Sequence, residues 1–141
     1  MGKKVSEVMT KRLVTVESTT TLTEASKIMR EKSIRHLIVI DSSSGAFLGM
    51  MSDRDVKKFM SPFIGSTRAT PQDMATAQIE VGKVMVSKDK VVAAKPDEEV
   101  KSAVDKMLTK KFGSLPVLDE QGKAIGIVTR GDMLKLLMSF L

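Results

Sequence analysis

A chain that repeats itself folds as paired units, and this one repeats over nearly its whole length. Val5-Ser-Glu-Val-Met9 returns as Val81-Gly-Lys-Val-Met85, 76 residues later. Ala25 to Asp41 lies over Ala103 to Asp119 at an offset of 78, with Ala25, Met29, Leu37, Val39 and Asp41 meeting Ala103, Met107, Leu115, Val117 and Asp119. Gly49-Met-Met-Ser-Asp-Arg-Asp55 then lies over Gly126-Ile-Val-Thr-Arg-Gly-Asp132 at an offset of 77. The offset drifts by one or two residues between blocks, as it does when duplicated elements are joined by tolerant loops.

Each copy reads as β-α-β-β-α, of roughly 55 to 60 residues by its turn signals and apolar periods. Leu13–Val16 is expected as a short strand, and Val91–Ala94 as a weaker one. A helix starts near Thr21, with Leu22, Ala25, Ile28 and Met29 on its apolar face; its partner follows Pro96-Asp97 and presents Val100, Ala103, Val104, Met107 and Leu108. The apolar runs Leu37–Ile40 and Leu115–Leu118 are expected as buried strands. Turns at Ser42–Gly45 and Glu120–Gly122 lead into return strands at Phe47–Met51 and Ala124–Val128, and a last helix follows Ser52 or Thr129. The division is 1–59 for the first copy, 60–80 for a linker and 81–141 for the second. Within the linker, Pro62 and Gly65 break structure, while Thr70-Pro71-Gln-Asp73 can start one turn of helix. A three-stranded unit of this size buries too little surface alone, so the two copies are expected to pack sheet to sheet.

Composition narrows the function classes. The 141 residues include no cysteine, which excludes disulfides, thiol catalysis and thiolate metal sites. One histidine, His36, without neighbouring ligands, makes no metal constellation. No apolar run approaches the roughly 20 residues that span a bilayer, and no apolar stretch follows the N-terminal lysines, so a cytoplasmic protein is expected. MGKKVS fits a six-letter acylation pattern that arises readily by chance. Residues 1–70 hold 12 basic and 7 acidic residues against 11 and 10 in 71–141, so most of the net +6 lies in the first half. That surplus favours anionic partners, nucleotides and nucleic acids alike. Lys27, Glu31 and Lys32 alternate sign as a solvated helix face does. Eleven methionines spread over both copies, with Met29, Met107 and Met133 in apolar patterns, read first as core fillers.

The duplicated Ser/Thr-x-x-Asp supports two readings. A hydroxyl residue followed three positions later by an acid, ahead of an amphipathic run, is a capping box. A glycine leading into the preceding strand in both copies often marks a close backbone approach, and the strand delivers hydroxyl and carboxylate to one sheet edge twice. Free amides at a helix start accept phosphate, a hydroxyl can donate to it, and a carboxylate can accept both hydrogen bonds of a ribose diol. Together these demands describe a nucleoside phosphate. Capping and binding are compatible.

The ordered landmarks, Val-Met, Ile34-Arg-His-Leu37 with Val39 and Asp41, and Gly49 to Asp55, resemble a cystathionine β-synthase (CBS) domain. Phe112-Gly-Ser-Leu-Pro-Val-Leu-Asp119 with Gly126 to Asp132 resembles another. The pair is similar to a Bateman module. That resemblance implies an α/β (α+β) fold of two β-α-β-β-α repeats packed through their sheets with pseudo-two-fold symmetry. It implies a regulatory module, not an enzyme, that senses an adenine nucleotide or other adenosyl ligand in the clefts between its two CBS domains. AMP, ADP, ATP, NAD and S-adenosylmethionine are the candidate ligands, with no obligatory cofactor. A homodimer forming a disc of four CBS domains and an unidentified effector protein are the implied partners.

The family's roles carry over by position. Asp55 and Asp132 match the ribose-binding acid, and Ser52 and Thr129 the adjacent hydroxyl. Thr10 and Lys11 fall where the family's leading loop lines the base pocket; Val14, Val16 and Ile38, with Val92 and Pro116, are the apolar base contacts. Arg35, Arg54 and Arg130 suit phosphate oxygens. Copy two departs from copy one with Pro116 for Ile38, Gly131 for Arg54 and Gly113-Ser114 for Arg35-His36. The Asp55 site is therefore expected to favour a phosphorylated ligand. Two rival readings stay open. A nucleic-acid binder is suggested by the pI near 9.6 but lacks Trp, Tyr and any basic block. A structural dimerisation module would leave its clefts empty.

Overall fold

In the computed structural model, residues 2–60 and 68–141 are described. Pro62 and Gly65 of the expected linker lie outside them. The elements run α1 (Val5–Val8), β1 (Thr15–Glu17), α2 (Leu22–Lys32), β2 (His36–Ile40), β3 (Phe47–Ser52), α3 (Asp53–Phe59) and α4 (Pro71–Ala77). A single 3-10 turn at Val81–Lys83 precedes β4 (Val86–Ser87), α5 (Val100–Lys110), β5 (Ser114–Leu118), β6 (Ala124–Thr129) and α6 (Arg130–Met138).

The chain divides into two compact units that cut across the repeat. One is Val14–Asp89; the other is Met1–Leu13 together with Lys90–Leu141. Each repeat thus lends its leading Val-x-x-Val-Met segment to the unit built on the other repeat.

In the Val14–Asp89 unit, a four-stranded sheet runs in the order β1-β2-β3-β4, with β1 parallel to β2 and the other neighbours antiparallel. Leu37 and Val39 of β2 and Met51 of β3 share the helix-facing side with Val16, and Leu22, Ala25 and Met29 of α2 close over them. That matches the apolar stripe of α2 and the period of two in the strands. Thr21 caps α2 by accepting from the Glu24 N–H at 3.2 Å. The borrowed residue Val81 is fully buried in this core. Its N–H donates to Thr20 O at 2.7 Å, and the Gly82 N–H to Ser18 O at 2.8 Å. α4, longer than the single turn expected, carries the Thr70–Asp73 capping box and Pro71 in its first turn. Thr23 Oγ1 donates to Ala77 O at 3.0 Å, which ties α4 to α2.

The other unit repeats the plan. β5 and β6 form an antiparallel hairpin with its bulge at the position equivalent to that of β2–β3. A parallel bridge from Ala94 to Val117 and an antiparallel one from Thr10 to Ile127 flank it, in the places that β1 and β4 hold beside β2 and β3. The expected strand at Val91–Ala94 is reduced to that bridge. Its residues are Ala-rich, and Pro96 ends the ladder because it has no N–H. Leu115, Val117 and Val128 pack with Ala103 and Met107, and the borrowed Val5 is fully buried among them. Leu108, expected on the apolar face of α5, is 73% exposed. Lys27 and Glu31 stand 3.9 Å apart on the solvated face of α2, where such a pair contributes little.

The two repeated glycines have one cause. A Cβ on Gly49 would run into the Val86 carbonyl oxygen and lie 2.9 Å from Met85 Sδ. A Cβ on Gly126 would run into Met9 Sδ and lie 3.2 Å from Thr10 O. The close approach is made by the borrowed segment, because β3 and β6 must let its backbone pass alongside. The obstacle at Gly49 is backbone, whereas at Gly126 it is first a flexible Met side chain. Gly49→Ala is therefore expected to cost about 1–3 kcal/mol and Gly126→Ala less, as read from urea denaturation midpoints of the two variants.

The second unit also contains a polar cluster. Lys106 Nζ lies 2.9 Å from both Glu98 carboxylate oxygens and donates to Ala93 O at 3.0 Å; Ser102 Oγ donates to Glu98 at 2.6 Å, and the Lys95 N–H at 3.1 Å. Burial pushes the Glu98 carboxyl up, but the hydrogen bonds from Ser102, Lys106 and Lys95 and the Lys106 charge outweigh it and leave the group below its ordinary value of 4.5. A depressed carboxyl stabilises the fold above its unfolded pKa and loses that contribution as pH falls through the folded one. The stability difference between the wild type and Glu98→Gln is accordingly expected to be full at neutral pH, to start falling near pH 4.5 and to be lost only as pH drops through the lower folded value, checked by urea melts across that range.

Candidate functional site

Ser52 and Thr129 are the caps of α3 and α6, and each sits at the end of a strand that brings it there. The Asp55 N–H donates to Ser52 Oγ at 3.2 Å, and the Ser52 N–H to Asp55 Oδ2 at 2.9 Å. The Asp132 N–H donates to Thr129 Oγ1 at 3.1 Å, and the Thr129 N–H to Asp132 Oδ2 at 2.9 Å. Both are complete capping boxes, so the structural reading of Ser/Thr-x-x-Asp is realised twice. All four side chains are half-buried. Each pair therefore keeps a face toward solvent while its cap is made.

The residues around each cap follow from backbone pairing. The Asp53 N–H donates to Arg35 O at 2.9 Å, and the equivalent Arg130 N–H to Gly113 O at 3.1 Å. That bond sets the exposed Arg35 beside the start of α3, where Arg54 is also exposed. His36 pairs with Ser52 across β2 and β3. In the other unit the same backbone bond comes from Gly113, which brings no side chain, and Arg130 is exposed at the first residue of α6.

Thr10 joins Asp132, although the sequence places it in the repeat of Asp55; Lys11 follows it in the same unit and is exposed. Thr10 exchanges two backbone hydrogen bonds with Ile127, at 2.8 and 3.0 Å, and its Oγ1 donates to Asp132 Oδ1 at 3.0 Å. Both oxygens of the Asp132 carboxylate therefore accept hydrogen bonds. In the other unit the matching residue is Val86, paired with Met50 in the sheet, and it has no hydroxyl to offer Asp55. There Ser52 Oγ donates to Asp55 Oδ2 at 3.0 Å instead. Val86, paired with Met50 two residues before Ser52, is the segment residue on this side that reading the sequence missed. The signal was the second Val-x-x-Val-Met, but it does not say which sheet that segment joins.

The apolar residues divide by depth. Val14 is half-buried and packs against the first core, with its carbonyl accepting from the Ile38 N–H at 3.4 Å; Val92 packs similarly against the second. Ile38 and Pro116 are fully buried. Val16 lies in the helix-facing core, so its side chain is committed to packing. No group of three or more His, Cys, Asp or Glu residues able to hold a metal occurs among the described residues.

The profile of the CBS domain matches residues 5–62 and 81–139. The chain belongs to the CBS-domain family. It is a tandem CBS pair of mixed α/β fold. A CBS domain-containing protein of Dictyostelium discoideum is 34% identical over 97% of this chain and 92% of its own length. A homoserine O-acetyltransferase of Methanohalobium evestigatum is 29% identical over 96% of the chain, which spans only 24% of that enzyme. The solved structure of CBSX2 from Arabidopsis thaliana in complex with AMP is 29% identical, with a TM-score of 0.81 over 99% of this chain and 98% of that one.

In this CBS pair, removal of a cap hydroxyl has a cost independent of any ligand. Ser52→Ala and Thr129→Ala are each expected to lower stability by about 1 kcal/mol, measured by chemical denaturation without added nucleotide.

Proposed function

We propose that this CBS pair is a regulatory module that binds an adenosyl ligand at its Ser52–Asp55 and Thr129–Asp132 sites, the carboxylates taking the ribose hydroxyls. The similarity to a CBS pair crystallised with AMP carries this reading, together with half-buried Ser/Thr-Asp pairs recurring in both units. The role is binding rather than catalysis: the homoserine O-acetyltransferase of Methanohalobium evestigatum matches over only 24% of its length.

The two sites are unequal. Asp55 stands with Arg35 and Arg54, whereas Asp132 has Arg130 and already accepts a hydrogen bond from Thr10. AMP, ADP or ATP is assigned to the Asp55 site first; NAD and S-adenosylmethionine complete the ligand panel. Asp55→Ala is expected to weaken AMP binding roughly 10- to 100-fold, the loss of a hydrogen bond to a charged group, while Asp132→Ala weakens it less. Calorimetric titration of both variants checks this, with Asp→Asn controls that keep a cap acceptor. Loss of AMP binding from Asp132→Ala alone would reverse the ranking. Affinity that falls steeply with salt and shows no preference for adenosine would favour a nucleic-acid binder instead.

A second copy of the chain is the partner assigned to α6. This helix has no buried residue, and Leu134, Leu137, Met138 and Phe140 are each more than half exposed. An apolar surface of this kind marks an association site. No helix of the described residues is long and apolar enough to cross a membrane. Leu134→Lys with Leu137→Lys is expected to convert a dimer to a monomer in light scattering; a monomeric wild type would refute this assignment.

A further inference from the structure

The Glu98–Ser102–Lys106 cluster shares no hydrogen bond with the capped helix starts among the described contacts, but it holds a segment that reaches one of them. Lys106 grips the loop before α5 at two points, Ala93 O and the Glu98 carboxylate. The same loop holds the borrowed segment: the Val5 N–H donates to Glu98 O at 2.8 Å and the Ser6 N–H to Pro96 O at 2.9 Å. Lys3 O in turn accepts from the Val100 N–H at 2.9 Å. Five residues beyond Val5, Thr10 pairs with Ile127 and reaches Asp132.

The other unit has the same backbone grip, and Thr20 Oγ1 accepts the Glu17 N–H at 3.2 Å where Glu98 accepts the Lys95 N–H, but no ion pair joins it among the described residues. Thr20 O and Ser18 O take the N–H groups of Val81 and Gly82. The positions of Glu98, Ser102 and Lys106 are there held by Thr20, Glu24 and Ile28, and Ile28 packs against the first core. The Glu98 side chain is 12% exposed and that of Lys106 34%, so their ion pair is screened less than a fully exposed surface pair.

We propose that Glu98, Ser102 and Lys106 form a latch that fixes the leading segment in the second unit and so sets where Thr10 stands beside Asp132. The three are positioning residues. The latch is one-sided: the first unit holds its borrowed segment by backbone bonds and apolar packing. Its effect on a ligand at Asp132 rests on the function proposed above; its effect on the segment does not.

Amide hydrogen exchange on the full chain tests the latch without any ligand. In Lys106→Met, the Val5, Ser6 and Thr10 amides are expected to exchange at least tenfold faster than in the wild type. Val117 and Val128 in the same sheet, and Val81 and Gly82 in the other unit, should keep their rates. Lys106→Arg, which retains charge and donors, should restore protection at Val5 and Ser6, and Ser102→Ala should give a smaller increase confined to the same amides. Unchanged rates at Val5, Ser6 and Thr10 would overturn the proposal. Uniform acceleration that includes Val128 would also overturn it, by reducing the cluster to general stability. Should AMP fail to bind at all while the local acceleration is seen, the latch stands and the ligand assignment alone falls.

Discussion

Neither small sheet closes its core with its own repeat. Val5 and Val81, among the few fully buried side chains, each complete the core built on the other repeat. Burying a side chain of this size contributes about 1.5–3 kcal/mol, a large share of what a unit of such size can spare. The rest of the design follows from admitting these segments. Gly49 and Gly126 are glycine because the borrowed backbone runs beside them, and β4 and the Thr10 bridge exist only because it does.

The same exchange makes the two candidate sites different. A symmetric duplication would give each carboxylate identical neighbours. Here the borrowed segments end differently, Thr10 in one and Val86 in the other, so Asp132 receives a hydroxyl from the borrowed segment whereas Asp55 receives one from its own cap, Ser52. Asymmetry between the units is thus set partly by residues distant in sequence from each motif. The capping boxes do not compete with this. A cap that fixes the carboxylate without a ligand also lowers the entropy lost when one binds, which is the advantage of preorganisation.

What could be read in the sequence was mostly local. The hairpins, with Gly45 and Gly122 in the left-handed region at φ 74° and 78°, sit where the turn residues placed them. The caps at Thr21, Ser52, Thr70 and Thr129 are written in three or four letters each. The partner of a segment is not local. Val5-Ser-Glu-Val-Met9 and Val81-Gly-Lys-Val-Met85 carry the same pattern, and a pattern shared by two segments cannot assign either to a sheet. For that reason the sequence alone does not pair Thr10 with Asp132, and the two glycines mark a place where the chain itself passes. Val16 alternates legibly in its strand, but three residues do not say which side of the strand faces α2. Leu108 continued the α5 stripe by spacing, yet no element covers it among the described residues.

The exchange can be observed directly, and the sites depend on it. Methyl-labelled protein should give nuclear Overhauser contacts from Val5 to Leu115, Val117 and Val128, and from Val81 to Leu37, Val39 and Met51. Contacts from Val5 to Leu37 and Val39 instead would mean that each repeat keeps its own leading segment, and would contradict the account.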